Sequence, residues 1–259
     1  MREEEGKKGT MSILIPKKLR RAPLVEVLWQ AVFERPTSVP LGEVMVGLLY
    51  AEMRKLNPAW QVQRLPAAEI PPAVAEQDPL LRYAVKYRLE APAEPVLYQV
   101  GDHIISVNCR RPYVGWAIFK EKILRVQELL AEKGGLPGPD HHGLRYLDLI
   151  RREDMADLEG LRLELQVGDQ KIRTQPLQLR VELFYRNHTH VLQVIVPAQV
   201  HLPEGTEEGT LIDLETRAEA ERDWEKVPQQ IEAMHEACVA MFFEQILRPE
   251  LIERFGPEY

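Results

Sequence analysis

The stretch VLYQVGDHIISVNCRRPYVGWAIFKEKILRVQELLAEK, residues 96–133, decides the fold. It opens with two runs of mainly apolar residues, 96–100 and 104–108, on either side of Gly101-Asp102-His103. Apolar runs separated by so short a segment containing Gly and Asp are typical of an antiparallel β-hairpin. We therefore predict a hairpin at the start of this stretch.

A cationic loop and a long helix follow the predicted hairpin. Pro112 has no backbone N–H to donate to a strand ladder, so we expect the second strand to end in the loop 109–115. Apolar residues then recur at helical spacing, which places them on one face of a helix. The residues that share this face are Trp116, Phe119, Ile123, Val126 and Leu130.

The rest of the chain repeats this combination of strands and long helices. The further predicted elements are strands at 23–33, 81–89, 143–150, 161–167, 177–186, 191–196 and 210–214, and helices at 41–56 and 224–247. Their order is too irregular for a parallel, doubly wound sheet. We predict an α+β fold with antiparallel sheets, each packed by a long amphipathic helix, in two similar halves.

A run of glycine and proline at 134–139, GGLPGP, is the strongest interruption in the chain and predicts a boundary. Either Met1 or Met11 fits as the natural start. The predicted parts are a flexible basic N-terminal arm at 1–22, an N-terminal α+β half at 23–133, and a C-terminal α+β half at 140–259 closed by the 224–247 helix.

Composition indicates a globular protein of the cytoplasm. Apolar residues make up 45% and charged residues 28%, and the net charge is −7. The segment 204–232 carries this entire net charge, so the remainder is neutral and can still hold basic patches. Two cysteines are few for a secreted protein of this size, and no apolar run is long enough to span a membrane.

The sequence predicts no catalytic residue, no metal site and no cofactor. The histidine clusters 141–142 and 188–190 lack the spaced third ligand that a zinc site needs. Ser106 and Cys109 lie near His103, but no nucleophile elbow accompanies them.

A candidate ligand site centres on the cationic loop. Arg110 and Arg111 stand beside aromatic Tyr113, a combination that can hold phosphate or a nucleobase. The alternative is that the aromatic residues are core and the arginines pair with the acidic segment. Arg145 and Asp148 lie on opposite strand faces, so one of them must face inward. The candidate set is Asn108, Arg110, Arg111, Tyr113, Arg145 and Asp148.

Several blocks, in order along the chain, resemble a family. These blocks are APLVEVLWQAVFE, YQVGDHIISVNCRRPYVGW, GLRYLDLI, LIDLETRAE and ACVAMFFEQILRPELIERFG. Together they resemble the TIGR04255 family of sporadically distributed prokaryotic proteins. The resemblance brings no catalytic residue with it. The patchy distribution that it implies is similar to that of mobile defence or toxin–antitoxin genes.

Three functional hypotheses follow. The first is a non-enzymatic cytoplasmic adaptor, acting in a defence or toxin–antitoxin type of system, that docks a protein partner through the acidic segment 204–226 and the Arg110/Arg111 loop. The second is a hydrolase or nuclease-like enzyme with a cleft near Asn108, Arg110, Arg145 and Asp148. The third is a nucleic-acid or nucleotide sensor with a basic face of Lys17, Lys18, Arg20, Arg21, Arg82, Lys86, Arg110 and Arg111. The ligand, the partner and the oligomeric state stay open.

Overall fold

The computed structural model describes residues 14–34, 41–133, 135–155, 157–202 and 205–259. Most of the predicted arm 1–22 therefore lies outside the described residues, as do Met1, Met11, Gly134 of the predicted boundary and Glu204 of the acidic segment.

The described part of the chain folds into strands and helices that alternate irregularly. The strands are β1 Lys18–Leu19, β2 Leu24–Val32, β3 Gln61–Arg64, β4 Tyr87–Glu90, β5 Val96–Val100, β6 Ile104–Arg110, β7 His141–Arg151, β8 Leu165–Val167, β9 Gln170–Ile172, β10 Leu177–Tyr185, β11 His188–Leu202, β12 Gly205–Glu219 and β13 Pro257–Glu258. The α-helices are α1 Leu41–Leu56, α2 Pro72–Ala75, α3 Pro79–Arg82, α4 Trp116–Glu128, α5 Val227–Ala240 and α6 Pro249–Arg254. Short π-helical segments, Leu129–Lys133 and Met241–Ile246, continue α4 and α5.

One antiparallel sheet of nine strands, in the order β10-β11-β12-β7-β2-β6-β5-β4-β3, runs through the protein. In the first half the last strand, β6, returns to pair with the first strand, β2. In the second half β12 returns in the same way to β7. Because β2 and β7 also pair with each other, both halves share a single sheet. The predicted α+β fold class is confirmed.

The long helices α1, α4 and α5 cover one face of this sheet. Alternate residues of β2, Val27, Trp29 and Ala31, point into that side and are completely buried. Three residues of the predicted apolar face of α4 meet them: Phe119, Ile123 and Val126 are also fully buried. Burying each large side chain contributes about 2 kcal/mol, so this layer contributes substantially to stability.

The predicted strand at 81–89 is wrong over most of its length. The chain instead forms α3, a linking segment and the four-residue strand β4. The Asp78 side chain accepts a hydrogen bond of 2.8 Å from the Leu80 N–H at the start of α3. Such an N-cap before proline favours a helical turn and outweighs the alternating pattern.

Most of the described part of the acidic segment is a central strand of the sheet. Its described part begins with β12, which pairs with β11 on one side and β7 on the other over most of its length. The predicted strand at 210–214 is therefore only the middle of a fifteen-residue strand. Asp213 and Glu215 are buried in it. Glu208, Glu219, Glu221 and Glu225 are exposed, so the docking role that the charge suggested stays a prediction.

Candidate functional site

The six candidate ligand residues are divided between the two faces of the sheet. Asn108 and Arg145 lie on the face that no long helix covers, whereas Arg111, Tyr113 and Asp148 line a cavity on the helix-covered face. Arg110 is at the end of β6 and lies 3.9 Å from a carboxylate oxygen of Glu90. Asn108, Arg110, Arg145 and Asp148, which were predicted to border one cleft, therefore do not share a face of the sheet.

The polar residues of the uncovered face bond to one another. The Arg145 Nε donates to Asp213 Oδ1 at 2.6 Å, and the Asn108 amide donates to Glu26 at 2.8 Å. Gln30 bridges β2 and β12 by donating to Glu215 at 3.1 Å. Arg145 is thus held in an ion pair with the buried Asp213. Since these groups form hydrogen bonds with each other, few of their donors and acceptors are available to a ligand on the uncovered face.

A cavity of about 770 Å³ lies between β7, the first turn of α4, the end of α5 and the N-terminal segment; we call it the Asp148 cavity. Its lining is mainly apolar, with Asp148, Arg111, Lys17 and Lys18 among the charged residues that border it. The apolar and aromatic residues that line it include Leu19, Tyr113, Trp116, Tyr146, Leu214, Val239, Phe242 and Phe243.

Arg111, beside this cavity, connects the start of β2 to β12. Its Nε donates to the Leu24 carbonyl at 2.7 Å, and another guanidinium nitrogen lies 3.0 Å from a Glu207 oxygen. A third bond, 3.3 Å long, reaches the Pro23 carbonyl. The alternative in which an arginine of the loop meets the acidic segment is therefore confirmed for Arg111. Its donors already have partners, so it is not a free fork for phosphate.

Asp148 is the chemically unusual residue of the cavity. It sits in the middle of β7, is only 5% exposed and borders the cavity. No donor of the described residues forms a hydrogen bond or ion pair with its carboxylate. Loss of hydration raises the pKa of Asp148 to about 7, although the charge of Arg111 acts in the opposite direction. A buried carboxyl group without a partner is costly, and such groups are concentrated at functional sites.

A stacked pair of rings forms another wall. The rings of Trp116 and His235 are parallel within 11°, with centroids 3.9 Å apart. The Tyr146 hydroxyl lies 2.8 Å from His235 Nδ1, and the Trp116 indole donates to Glu232 at 3.1 Å. Burial lowers the pKa of His235 to about 4, which keeps the imidazole neutral at neutral pH. These contacts fix the aromatic wall beside Asp148.

The thiol that lines the cavity is not activated. Burial raises the pKa of Cys238 to about 12, so the group is a thiol rather than a thiolate near neutral pH. Burial also raises the pKa of the Tyr113 hydroxyl, which lies close to Tyr146. The cavity thus offers hydrogen-bonding groups and an ionisable acid, but no prepared nucleophile.

A second cavity, of about 800 Å³, lies between the β8–β9 hairpin and α6. Its lining is largely polar, and its charged groups pair across it: Arg173 bonds to Glu159, and Arg248 lies 3.9 Å from Glu164. These four side chains are largely exposed to water. Ligand sites usually have a predominantly apolar lining, so we favour the Asp148 cavity.

The basic residues of the sensor hypothesis have local carboxylate partners or lie far apart. Arg20 and Arg21 pair with Glu258 and Asp154, each at 3.2 Å. Lys86 pairs with Asp102, which precedes the first residue of β6. Arg110 is at the opposite end of that strand. Six residue steps along a strand separate the two ends of β6 by about 20 Å. The described basic residues therefore do not favour one continuous face.

The candidate set predicted from the sequence contains three residues of this cavity, Arg111, Tyr113 and Asp148. It omits Trp116, Tyr146 and His235. One signal was available: Tyr146 and Asp148 occupy alternate positions of β7, so they share a face with the apolar Leu144 and Ile150. The stacking partner on α5 comes from 119 residues further along the chain than Trp116, and no local pattern indicates such a contact.

Comparisons with known proteins bring no name to this site: the chain matches neither a family model nor a curated protein. The resemblance to the TIGR04255 family stays a prediction. In the described part of the chain, no cluster of three or more His, Cys, Asp or Glu residues is arranged to hold a metal ion. None of the described helices has the length and apolar character needed to cross a membrane.

Proposed function

We propose that the protein is a non-enzymatic binding protein that holds a small apolar molecule by its amine in the Asp148 cavity. The observation that carries this proposal is the Asp148 carboxyl group, which is buried beside an apolar cavity without a hydrogen-bond donor. The role keeps the non-enzymatic binding function predicted from the sequence and assigns it to a small molecule.

A protonated amine is complementary to the Asp148 carboxyl group in charge and in hydrogen bonding. A protonated amine donates hydrogen bonds and supplies the opposite charge, so it would favour the ionised form of Asp148 that burial disfavours. The aromatic rings of Tyr113, Trp116 and Tyr146 add surfaces that attract cations. The exposed side chains of Lys17 and Lys18 border the same cavity, and an acidic group at the outer end of the ligand would meet them.

The size and lining of the cavity suit a ligand with an apolar body. Its volume of about 770 Å³ falls within the roughly 300–1,000 Å³ of typical small-molecule sites. Phe242 and Phe243 line it from the π-helical end of α5, and Leu214 lines it from β12. We place this binding role in the cytoplasm, since the buried free thiols Cys109 and Cys238 fit a reducing compartment.

The test compares three probes with one aromatic body: phenethylamine, phenylacetamide and phenylacetate. Calorimetric titration of the full chain should give the tightest binding for the amine and none for the acid. Asp148→Asn should weaken amine binding by about 10- to 100-fold, the value of a charge-assisted hydrogen bond. Because Asp148 ionises near pH 7, affinity for the amine should also fall as the pH is lowered through that value.

The matched control is Asp213→Asn, the same change at an equally buried aspartate on the opposite face of the sheet. This variant should bind the amine as the wild type does. Equal loss in both variants, or equal affinity for the amine and the acid, would overturn the proposal.

A further inference from the structure

The nine-stranded sheet ends in a long strand whose outer edge is free within the described part of the chain. Strand β10 pairs with β11 along all nine of its residues and has no strand on its other side. Phe184 in this strand is 76% exposed, and Leu183 is also exposed. A free edge of this length and apolar character is a template for another strand.

The hydrogen-bonding groups of β10 alternate between its two sides. The turn to β11 consists of two residues, Arg186 and Asn187, both with positive φ, and Tyr185 is opposite His188. A turn of this kind is closed by a hydrogen-bonded pair, so the backbone groups of Tyr185 and of every second residue before it face β11. Those of Gln178, Arg180, Glu182 and Phe184 consequently face the free edge.

The sequence of β10, LQLRVELFY, is complementary to itself when it is read in the opposite direction. An antiparallel pair of two β10 strands centred on Val181 places Arg180 opposite Glu182 of the second copy, twice. The same register places Leu179 opposite Leu183. Opposite charges and apolar pairs in directly opposed positions stabilise antiparallel pairing.

The hydrogen-bond alternation agrees with this register. Val181 directs its backbone groups to β11, so two copies of it form a pair without backbone hydrogen bonds at the centre. The pairs on either side, formed by Arg180 and Glu182, are then the hydrogen-bonded ones. Charge and backbone geometry therefore select the same arrangement.

We propose that two copies of this chain associate through antiparallel pairing of their β10 edges, with Arg180 of each copy opposite Glu182 of the other. Within one copy these side chains lie 3.2 Å apart and are about half exposed, so both are accessible to a second chain. The result is a symmetric dimer with one sheet continuous across both copies.

Sedimentation of charge variants of the full chain tests this interface. The single variants Arg180→Glu and Glu182→Arg each place like charges opposite each other twice, so each should raise the dimer dissociation constant by about tenfold or more. The double variant Arg180→Glu/Glu182→Arg restores opposite charges and should restore the dimer. Circular dichroism should show the same folded state for all four proteins. A wild type that sediments as a monomer at about 100 μM, a dimer insensitive to the single changes, or a folded double variant that stays monomeric would overturn the proposal.

Amide hydrogen exchange gives a second test without mutation. The N–H groups of Arg180 and Glu182 should exchange rapidly in dilute solution and become protected as the protein concentration rises. Those of Leu179 and Val181, which face β11, should be protected throughout. Protection of all four amides that does not depend on concentration would contradict the dimer.

Discussion

Replacing Asp148 with asparagine should stabilise the protein at alkaline pH. The carboxyl group has a pKa of about 7 in the folded protein, against an ordinary value of 3.8. Because this pKa is raised, Asp148 contributes fully to folding stability below pH 3.8. That contribution is lost as the pH rises through about 7. Each pKa unit corresponds to about 1.4 kcal/mol, so the buried charge costs about 4 kcal/mol above that pH.

Asparagine removes this cost while it preserves the shape of the side chain. Its amide is buried with as few partners as the protonated acid, so the two proteins should be equally stable near pH 4. Near pH 8 the Asp148→Asn variant should be more stable by about 2–4 kcal/mol. The gain should appear gradually between these two conditions.

Urea unfolding followed by tryptophan fluorescence at a series of pH values measures this difference. Three histidines contribute with the opposite sign: burial lowers the pKa values of His142, His190 and His235, so stability falls as the pH drops below about 6.5. Both proteins share those histidines, so the difference between their curves isolates Asp148.

Asp213→Asn is the matched control, and we expect it to destabilise the protein near pH 8. Asp213 is equally buried but is bonded to Arg145, and its loss should cost about 1–3 kcal/mol near pH 8. If the Asp148→Asn variant is less stable than the wild type near pH 8, or the difference between the two proteins does not change with pH, the account of a buried charge without a partner is refuted.

Two further predictions concern the packing around the sheet. Phe119→Ala removes a completely buried ring of α4 and should lower the free energy of unfolding in urea by about 3–5 kcal/mol. Ile118→Ala, at a largely exposed position of the same helix, should lower it by less than about 0.5 kcal/mol. Similar losses at both positions would contradict the orientation of α4. The buried thiols of Cys109 and Cys238, whose pKa values burial raises, should react with a thiol reagent only after unfolding, and rapid reaction of the native protein would show that either group is accessible.

Local sequence patterns predicted the elements whose residues interact with near neighbours. The helix predicted at 41–56 has those bounds in the structure, and the hairpin of 96–100 and 104–108 forms as strands β5 and β6. Hydrophobic spacing determines such elements directly. The apolar face of α4 followed from the same rule.

The interactions between distant segments could not be predicted in this way. Charge alone indicated an exposed acidic segment, but β12 lies between two other strands and neutralises part of its charge across the sheet, with Arg145 and Arg111. The Asp148 cavity is formed by β7, α4, α5 and the N-terminal segment together. Which distant segments meet is set by sheet topology, and one sequence does not display that topology.

The ionisation of Asp148 tests the central claim most directly. The side-chain carboxyl carbon of Asp148 can be followed by carbon-13 NMR as a function of pH, with Asp148→Asn to assign the signal. We expect a midpoint near pH 7 in the free protein and a lower midpoint when phenethylamine is bound. A midpoint near 3.8 in the free protein would show that the carboxyl group is hydrated or already paired, and would contradict the proposed site.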